Sequence, residues 1–314
     1  MRIVVSRPLP GAALEELQKA GHDLLVMNPD RSAEEFLARC IGADAIITML
    51  SDPVRADAIA KMGGQLRIIA NYAVGYNNID VEECSRRGIF VTNTPGVLTD
   101  ATADVTLLLI LMCMRRALES AALLRDGRFH GWRPDLMLGY DLRGKNLGII
   151  GMGRIGEAVA RRAEAFGMNI LYYTRSGVKT HLPYPAVSFE TVLKESDVIS
   201  LHCPLTPETR HLIGRNEFGL MKKSAVIINT ARGQVINEAE LAEALNNGLI
   251  FYAGCDVYED EPSVNAELLK CRNAVLLPHI GSGTVETREK MARMTVDSIM
   301  EAFAGKTPRF SVNA

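Results

Sequence analysis

The sequence lacks the features that mark several classes of protein. Its six cysteines are scattered and form no C-x-x-C pair, which argues against a disulfide framework or a zinc site. The longest apolar run covers residues 107–114 and is too short to span a bilayer. A formal net charge of −2 over 314 residues gives no reason to expect nucleic-acid binding. No leader peptide is visible, so a cytoplasmic protein is expected. Because the cysteines have no metal-ligand spacing, no bound metal is expected.

What the sequence does contain is a regular alternation of strand-like and helix-like segments. Short apolar runs, such as residues 3–5, 45–47 and 68–70, are separated by stretches with helical spacing and by short connections. This order predicts an α/β protein whose parallel sheets are covered by helices on both faces.

The length of the chain predicts two domains. Residues 1–98 and 284–314 are expected to form a substrate domain, and residues 99–283 a dinucleotide-binding domain. This division assumes that a final helix over Val285–Phe303 packs on the first domain. One long helix is predicted to begin near Thr99 and to end near Leu124, and an irregular segment that contains the only tryptophan, Trp132, follows it.

A G-x-G-x-x-G pattern occupies residues 151–156, between an apolar strand and a stretch with helical spacing. Gly151 would permit the sharp turn, Gly153 the close approach of phosphates, and Gly156 the packing of helix against strand. The start of the helix offers free N–H groups and a partial positive charge to an anion. The pattern therefore predicts a site for the pyrophosphate of a dinucleotide.

The residues after the next strand predict which dinucleotide is bound. Enzymes that use NAD place an Asp or Glu there to bind the ribose hydroxyls, whereas this chain has Thr174, Arg175 and Ser176. A carboxylate would repel a 2′-phosphate, and a guanidinium between two hydroxyls would bind it. We therefore predict NADP as the preferred cofactor and NAD as a possible one. The alternative is that Arg175 is a solvated turn residue.

Three residues with acid–base or anion-binding chemistry follow predicted strands of the second domain. Arg232 could hold a substrate carboxylate, His279 could give a proton to a carbonyl oxygen, and Glu261 could orient the imidazole ring. Ligands of open α/β sheets bind beyond the carboxyl ends of the strands, so these side chains are expected to converge. Taken singly, each has another interpretation: a surface ion pair, a solvated acidic loop and a structural histidine.

Several segments together resemble the signature segments of the D-2-hydroxy-acid dehydrogenases, most closely the glyoxylate/hydroxypyruvate reductases. They are NTARG at 229–233, DVYEDEP at 256–262, PHIGS at 278–282, NYAVGYNNID at 71–80 and LHCPLT at 201–206. The resemblance covers essentially the whole chain. It implies a Rossmann nucleotide-binding domain, a flavodoxin-like substrate domain and reduction of a small 2-oxo acid such as glyoxylate or hydroxypyruvate. It also implies a homodimer built largely through the second domain and the long irregular segment near Trp132.

The resemblance also implies a set of site residues. The catalytic residues would be Arg232, Glu261 and His279. The cofactor contacts would include the glycine pattern and the residues that follow the next strand. The full set would be Thr102, Gly151, Gly153, Arg154, Ile155, Gly156, Thr174, Arg175, Ser176, Cys203, Pro204, Thr209, Thr230, Ala231, Arg232, Asp256, His279 and Gly281. The substrate contacts would be Leu50, Ser51, Val74, Gly75, Arg232 and His279.

Other functions of the same scaffold remain open at this point. A broader D-lactate-type dehydrogenase is the first alternative, and a phosphite dehydrogenase is another. A nucleotide-sensing protein without catalysis is a third, although the presence of Arg232, Glu261 and His279 argues against it.

Overall fold

The computed structural model describes residues 1–175, 177 and 181–314, and it divides into two compact units. The first unit comprises Met1–Leu98 and Ser282–Ala314, and the second comprises Thr99–Gly281. Each unit is built on a parallel sheet, which confirms the predicted fold class. Among the helices of the described residues, none is long and apolar enough to cross a membrane.

The strands and helices are numbered here in chain order within the described part of the chain. The strands are β1 (Arg2–Val5), β2 (Asp23–Val26), β3 (Ala45–Thr48), β4 (Ile68–Asn71), β5 (Phe90–Thr92), β6 (Asn146–Ile150), β7 (Asn169–Tyr173), β8 (Val198–Leu201), β9 (Val226–Asn229), β10 (Tyr252–Cys255) and β11 (Ala274–Leu276). The helices are α1 (Ala13–Lys19), α2 (Ala33–Cys40), α3 (Ala56–Met62), α4 (Val81–Arg86), α5 (Thr99–Met114), α6 (Ala117–Arg125), α7 (Arg154–Ala165), α8 (Phe189–Glu195), α9 (Arg215–Leu220), α10 (Glu238–Asn246), α11 (Ala266–Lys270) and α12 (Val285–Phe303).

The sheet of the first unit has the strand order β2-β1-β3-β4-β5, and its neighbouring strands are parallel. Successive residues of a strand point to opposite faces, so Ile69 joins one apolar cluster whereas Ile68 and Ala70 join the other. Helix α12 packs on this sheet through Met291 and Val296. Because both faces are buried, the inner strands are apolar without interruption.

The sheet of the second unit has the order β11-β10-β9-β8-β6-β7, again with parallel neighbours. Helix α5 is apolar on most of its surface, and its residues Leu109, Ile110 and Cys113 are fully buried in one of the two clusters of this unit. The other cluster lies on the opposite face of the sheet and includes Phe218 and Leu241. A helix that is apolar all round belongs in a core of this kind.

One prediction about the elements is wrong. The single helix expected between Thr99 and Leu124 is two helices, α5 and α6, separated at Arg116, whose φ of 49° is left-handed. The carbonyl of Met114 accepts the N–H of Tyr140 at 2.9 Å instead of continuing the helical pattern. A segment distant in sequence therefore ends α5.

Candidate active site

The carboxyl ends of β6 and β8 lie side by side at the centre of the second sheet. After β6 the chain forms β7 on one side of that strand and then returns to form β8 on the other side. The order in which strands are added to the sheet therefore reverses between β6 and β8. In open α/β sheets the crevice at such a switch point is where ligands bind. The residues that follow β6, β7, β8, β9, β10 and β11 at this edge form the candidate site.

The glycine pattern after β6 has the geometry expected of a pyrophosphate loop. Gly151 has a φ of 99°, and a Cβ atom there would lie 2.5 Å from the backbone nitrogen of Cys203. A Cβ at Gly156 would lie 2.5 Å from the carbonyl oxygen of Gly151, whereas a Cβ at Gly153 would meet open space. Helix α7 begins at Arg154 without a side-chain cap, which leaves its first N–H groups available. These residues fit the phosphates of a dinucleotide.

The cationic side chain that follows β7, Arg175, forms an ion pair with a carboxylate. Arg175 lies at the surface, and its guanidinium is 3.1 Å from the carboxylate of Glu208. The hydroxyl of Thr206 donates to the same carboxylate oxygen at 2.7 Å. Thr174 follows the strand as predicted, and Ser176 lies outside the described residues. No sequence pattern indicated Glu208, because its partner lies 33 positions away.

Arg232 is carried by a turn that a buried asparagine shapes. The side chain of Asn229, the last residue of β9, donates to the carbonyl of Arg232 at 2.9 Å and accepts the N–H of Ala231 at 3.0 Å. Burial lowers the pKa of Arg232, and the negative charge of Glu261 opposes that change. The guanidinium remains charged because the ordinary pKa of arginine is above 12.

Glu261 and His279 form a hydrogen-bonded pair. Nδ1 of His279 lies 2.8 Å from Oε2 of Glu261, and the other carboxylate oxygen accepts the N–H of Tyr258 at 3.0 Å. Burial by itself would raise the pKa of Glu261, but the imidazole, the Tyr258 amide and the Arg232 charge outweigh it, so the pKa is lowered. Since Nδ1 is occupied by the carboxylate, Nε2 is the ring nitrogen that can exchange a proton with a ligand.

Asp256 is buried at the end of β10 and accepts two backbone hydrogen bonds. The N–H groups of Ile280 and Gly281 donate to its two oxygens at 2.7 Å each. Burial raises the pKa of this carboxyl, and the two amide hydrogen bonds act in the opposite direction. Asp256 thus fixes the segment that follows His279. Its predicted contact with the cofactor stays a prediction.

The remaining predicted cofactor residues also lie at this edge, and several of them bond to their neighbours. The hydroxyls of Thr106 and Thr230 are 3.0 Å apart, and Thr106 also donates to the carbonyl of Thr102 at 2.8 Å. Thr209 donates to the carbonyl of Pro204 at 2.7 Å. Burial raises the pKa of the Cys203 thiol to about 11, which argues against a nucleophilic role.

The predicted substrate residues of the first unit lie at the carboxyl edge of its own sheet. Leu50 and Ser51 follow β3, and Val74 and Gly75 follow β4. The side chain of Asn71 donates to the carbonyl of Gly75 at 2.7 Å. Their roles stay predictions.

A buried polar network that the sequence did not reveal supports these two turns. Asp52 accepts the N–H of Met49 at 2.8 Å and forms an ion pair with Arg31, which is also buried. Asn78 donates to the carbonyl of Met49 at 3.0 Å, and its side chain lies 3.4 Å from that of Asn71. The partners in this network lie 3 to 29 positions apart in the chain, so no local pattern of the sequence indicated it.

Comparison with known proteins places the chain among nicotinamide-dependent enzymes. Residues 107–281 match the family model described as "D-isomer specific 2-hydroxyacid dehydrogenase, NAD binding domain". A glyoxylate reductase of Thermococcus litoralis is 45% identical over 320 residues, covering 99% of this chain and 96% of that protein.

Solved structures agree with this match over the full length. A protein from Thermus thermophilus superposes with a TM-score of 0.95 at 45% identity, covering 99% of this chain and 100% of that one. An NADPH-dependent glyoxylate/hydroxypyruvate reductase from Sinorhizobium meliloti, in complex with NADP and malonate, superposes with a TM-score of 0.88 at 33% identity. That superposition covers 99% of this chain and 96% of the other.

Proposed function

The chain belongs to the D-isomer specific 2-hydroxyacid dehydrogenase family, and we propose that it reduces glyoxylate and hydroxypyruvate with NADPH. The resemblance noted in the sequence is thereby confirmed, and the protein is an NAD(P)-dependent 2-hydroxyacid dehydrogenase. The observation that carries the proposal is the 2.8 Å hydrogen bond between Glu261 and His279 at the sheet edge that also holds the glycine loop.

We assign proton transfer to His279. Its Nε2 donates a proton to the carbonyl oxygen of the 2-oxo acid while carbon 2 accepts a hydride, so the product is the 2-hydroxy acid. Glu261 holds the ring by Nδ1, which leaves Nε2 to exchange the proton. A positioned acid of this kind contributes roughly 10²–10⁴ in rate.

We assign substrate binding to Arg232. Its planar guanidinium suits a carboxylate, and its charge draws electron density from the adjacent carbonyl. The asparagine-shaped turn that carries it supports this role, because a fixed backbone limits the orientations of the side chain. The loops around Leu50 and Val74 are proposed to select small substrates.

The nicotinamide supplies the hydride when it is bound. We propose NADPH as the preferred form, because Thr174 and Arg175 stand where a carboxylate would select NADH. The Sinorhizobium meliloti relative, which is NADPH-dependent, supports this choice. We also infer that the protein is a homodimer.

A substrate and cofactor panel tests the proposal. Glyoxylate, hydroxypyruvate and pyruvate are each offered with NADPH and NADH, and the loss of reduced-nicotinamide absorbance is followed. We expect the highest kcat/KM for glyoxylate or hydroxypyruvate with NADPH. His279→Ala should lower kcat by roughly 10²–10⁴.

A control variant separates this loss from a general effect of removing a histidine. His181→Ala changes an exposed histidine of the same unit and should leave kcat unchanged. Full activity in His279→Ala would reject the assigned acid, and a preference for pyruvate would reject the assigned substrates.

A further inference from the structure

Tyr258 lies between Asp256 and Glu261 and contacts the segments that carry all three proposed catalytic residues. Its N–H donates to Oε1 of Glu261 at 3.0 Å. Its hydroxyl donates to the carbonyl of Leu277 at 2.8 Å, two residues before His279. The ring is buried in the apolar cluster on one face of the second sheet. One residue thus joins the carboxylate to the segment that holds the imidazole.

The hydroxyl contact bears directly on the conformation of His279. His279 has a φ of 53°, in the left-handed region that side-chain-bearing residues seldom adopt, and such a conformation persists only where the surroundings impose it. The carbonyl of Leu277 accepts the N–H of His279 at 3.1 Å as well as the hydroxyl of Tyr258. On the other side, Asp256 holds Ile280 and Gly281. His279 therefore lies between two fixed segments.

The backbone of Tyr258 meets the turn that carries Arg232. A Cβ atom at Gly233 would lie 1.8 Å from the carbonyl carbon of Tyr258 and 2.3 Å from the nitrogen of Glu259. Only a glycine allows the two backbones to approach so closely. The peptide after Tyr258 is therefore packed directly against the residue that follows Arg232.

We propose that Tyr258 is a positioning residue for the reduction, whose hydroxyl keeps His279 aligned with Glu261. The proposal rests on the proposed function, because it needs the pair to be the proton-transfer unit. The hydroxyl acts through the carbonyl of Leu277 and does not touch the substrate. Burial raises the pKa of Tyr258, so the hydroxyl remains a hydrogen-bond donor at neutral pH.

Tyr258→Phe removes this hydroxyl and keeps the ring in its apolar surroundings. We expect kcat/KM for glyoxylate to fall about three- to tenfold, the range of one lost hydrogen bond, and NADPH binding to stay within twofold. The pH profile of kcat/KM should also change, because Glu261 and His279 are less well aligned. A purely structural hydroxyl would leave the pH profile in place.

Tyr252→Phe is the matched control. Tyr252 is a buried tyrosine at the start of β10, the strand that precedes Tyr258, and its hydroxyl donates to Glu119 at 2.6 Å and to the carbonyl of Arg272 at 3.3 Å. Tyr252→Phe removes a buried hydroxyl without affecting the hydrogen bond between Glu261 and His279. We expect its melting temperature to fall at least as much as that of Tyr258→Phe, with an unchanged pH profile.

A double-mutant cycle shows whether Tyr258 acts through Glu261. In the Glu261→Ala background, Tyr258→Phe should lower kcat/KM by less than twofold, because the contact it aligns is already lost. The inference would be overturned if Tyr258→Phe lowered kcat/KM by the same factor in both backgrounds. It would also be overturned if Tyr258→Phe kept the wild-type pH profile. If His279→Ala stays active, the proposed function fails instead, so the two failures are distinguishable.

Discussion

Arg175 is the residue on which the proposed preference for NADPH rests, and in the structure its guanidinium is paired with Glu208. A 2′-phosphate would have to share or displace the carboxylate of Glu208, which lies 3.1 Å from the guanidinium. Both side chains are exposed, so the pair is weak and salt-sensitive. Glu208 should therefore reduce the preference for NADPH without abolishing it.

Glu208→Gln should raise kcat/KM for NADPH about two- to fivefold and leave the value for NADH unchanged, because only NADPH carries the repelled phosphate. Steady-state kinetics at low and high salt measure the effect, which should shrink as salt is added. Glu190→Gln, which breaks an exposed pair with Lys194 on α8, is the control. An unchanged NADPH/NADH ratio in Glu208→Gln would contradict the argument.

His202 is a second residue whose environment has a measurable consequence. Its Nε2 lies 2.8 Å from the hydroxyl of Ser200, and its buried Nδ1 has no hydrogen-bond partner among the described residues. Burial lowers the pKa of His202 to about 3. The folded protein thus holds this ring neutral at a pH where the unfolded chain would protonate it.

The sign of the pH effect follows from that difference. The pKa of His202 in the folded protein lies below its unfolded value of about 6.5. The contribution of neutral His202 to the free energy of unfolding is therefore complete above pH 6.5 and is lost as pH falls towards 3. Between about pH 6.5 and 4.5 the loss of unfolding free energy is at most about 3 kcal/mol. His202→Gln should lose less stability than wild type over this interval, as measured by thermal unfolding.

The exposed His181→Gln serves as the control for this experiment and should follow the wild-type curve. Unfolding curves of wild type and His202→Gln that shift in parallel with pH would show that His202 is not the acid-sensitive group.

At the scale of the elements, α5 and α6 show how a distant segment determines a helix boundary. Residues 99–124 have no proline or glycine, and their composition favours one continuous helix. In the structure the chain at Gly139 lies against the end of α5, where a Cβ would be 2.1 Å from the carbonyl of Met114. Arg116 turns left-handed there and pairs with Glu119 at 2.8 Å.

The 3₁₀ turn Gly233–Val235 gives a prediction at the same scale. Gly233→Ala should push the Tyr258–Glu259 peptide away, because the added Cβ overlaps it. We expect the free energy of unfolding to fall by about 1–3 kcal/mol, as in other overpacked sites. We also expect kcat/KM to fall on the order of 100-fold, because the catalytic segments shift.

Gly219→Ala is the control for this substitution. Gly219 lies in α9, and an added Cβ would meet no atom within 4 Å. This variant should keep its kinetics and gain about 0.5–1 kcal/mol of stability, because glycine is unfavourable within a helix. Wild-type kinetics in Gly233→Ala would show that the contact with Tyr258 is dispensable.

At the scale of the whole molecule, the segment 126–141 leaves large apolar side chains in contact with solvent. Trp132 is 81% exposed, and Leu124 on the preceding helix is 64% exposed. Large apolar side chains that are exposed and close together in the sequence favour an interaction surface. The proposed homodimer would bury them.

Light scattering should therefore give a mass of two 34.3 kDa chains for the wild type. The double variant Leu124→Lys/Trp132→Lys should be a monomer, because two charges in an apolar interface remain unpaired. Leu269→Lys, at a leucine on α11 that is 60% exposed, is the control and should stay dimeric. A monomeric wild type would reject the homodimer.

The sequence by itself determined the α/β class, the glycine loop and the positions of Arg232, Glu261 and His279 at strand ends. These features are local, because apolar periodicity and turn residues define where each strand ends. Helix α12 begins and ends at the residues predicted for it, since Thr284 caps it and its apolar residues recur with helical spacing.

Only the tertiary structure decided the features that depend on partners distant in the chain. The pairing of Arg175 with Glu208, the break at Arg116 and the contacts of Tyr258 with Leu277 join residues between 19 and 33 positions apart. No periodicity encodes such contacts, because they arise from which strand ends lie side by side once the sheet has formed.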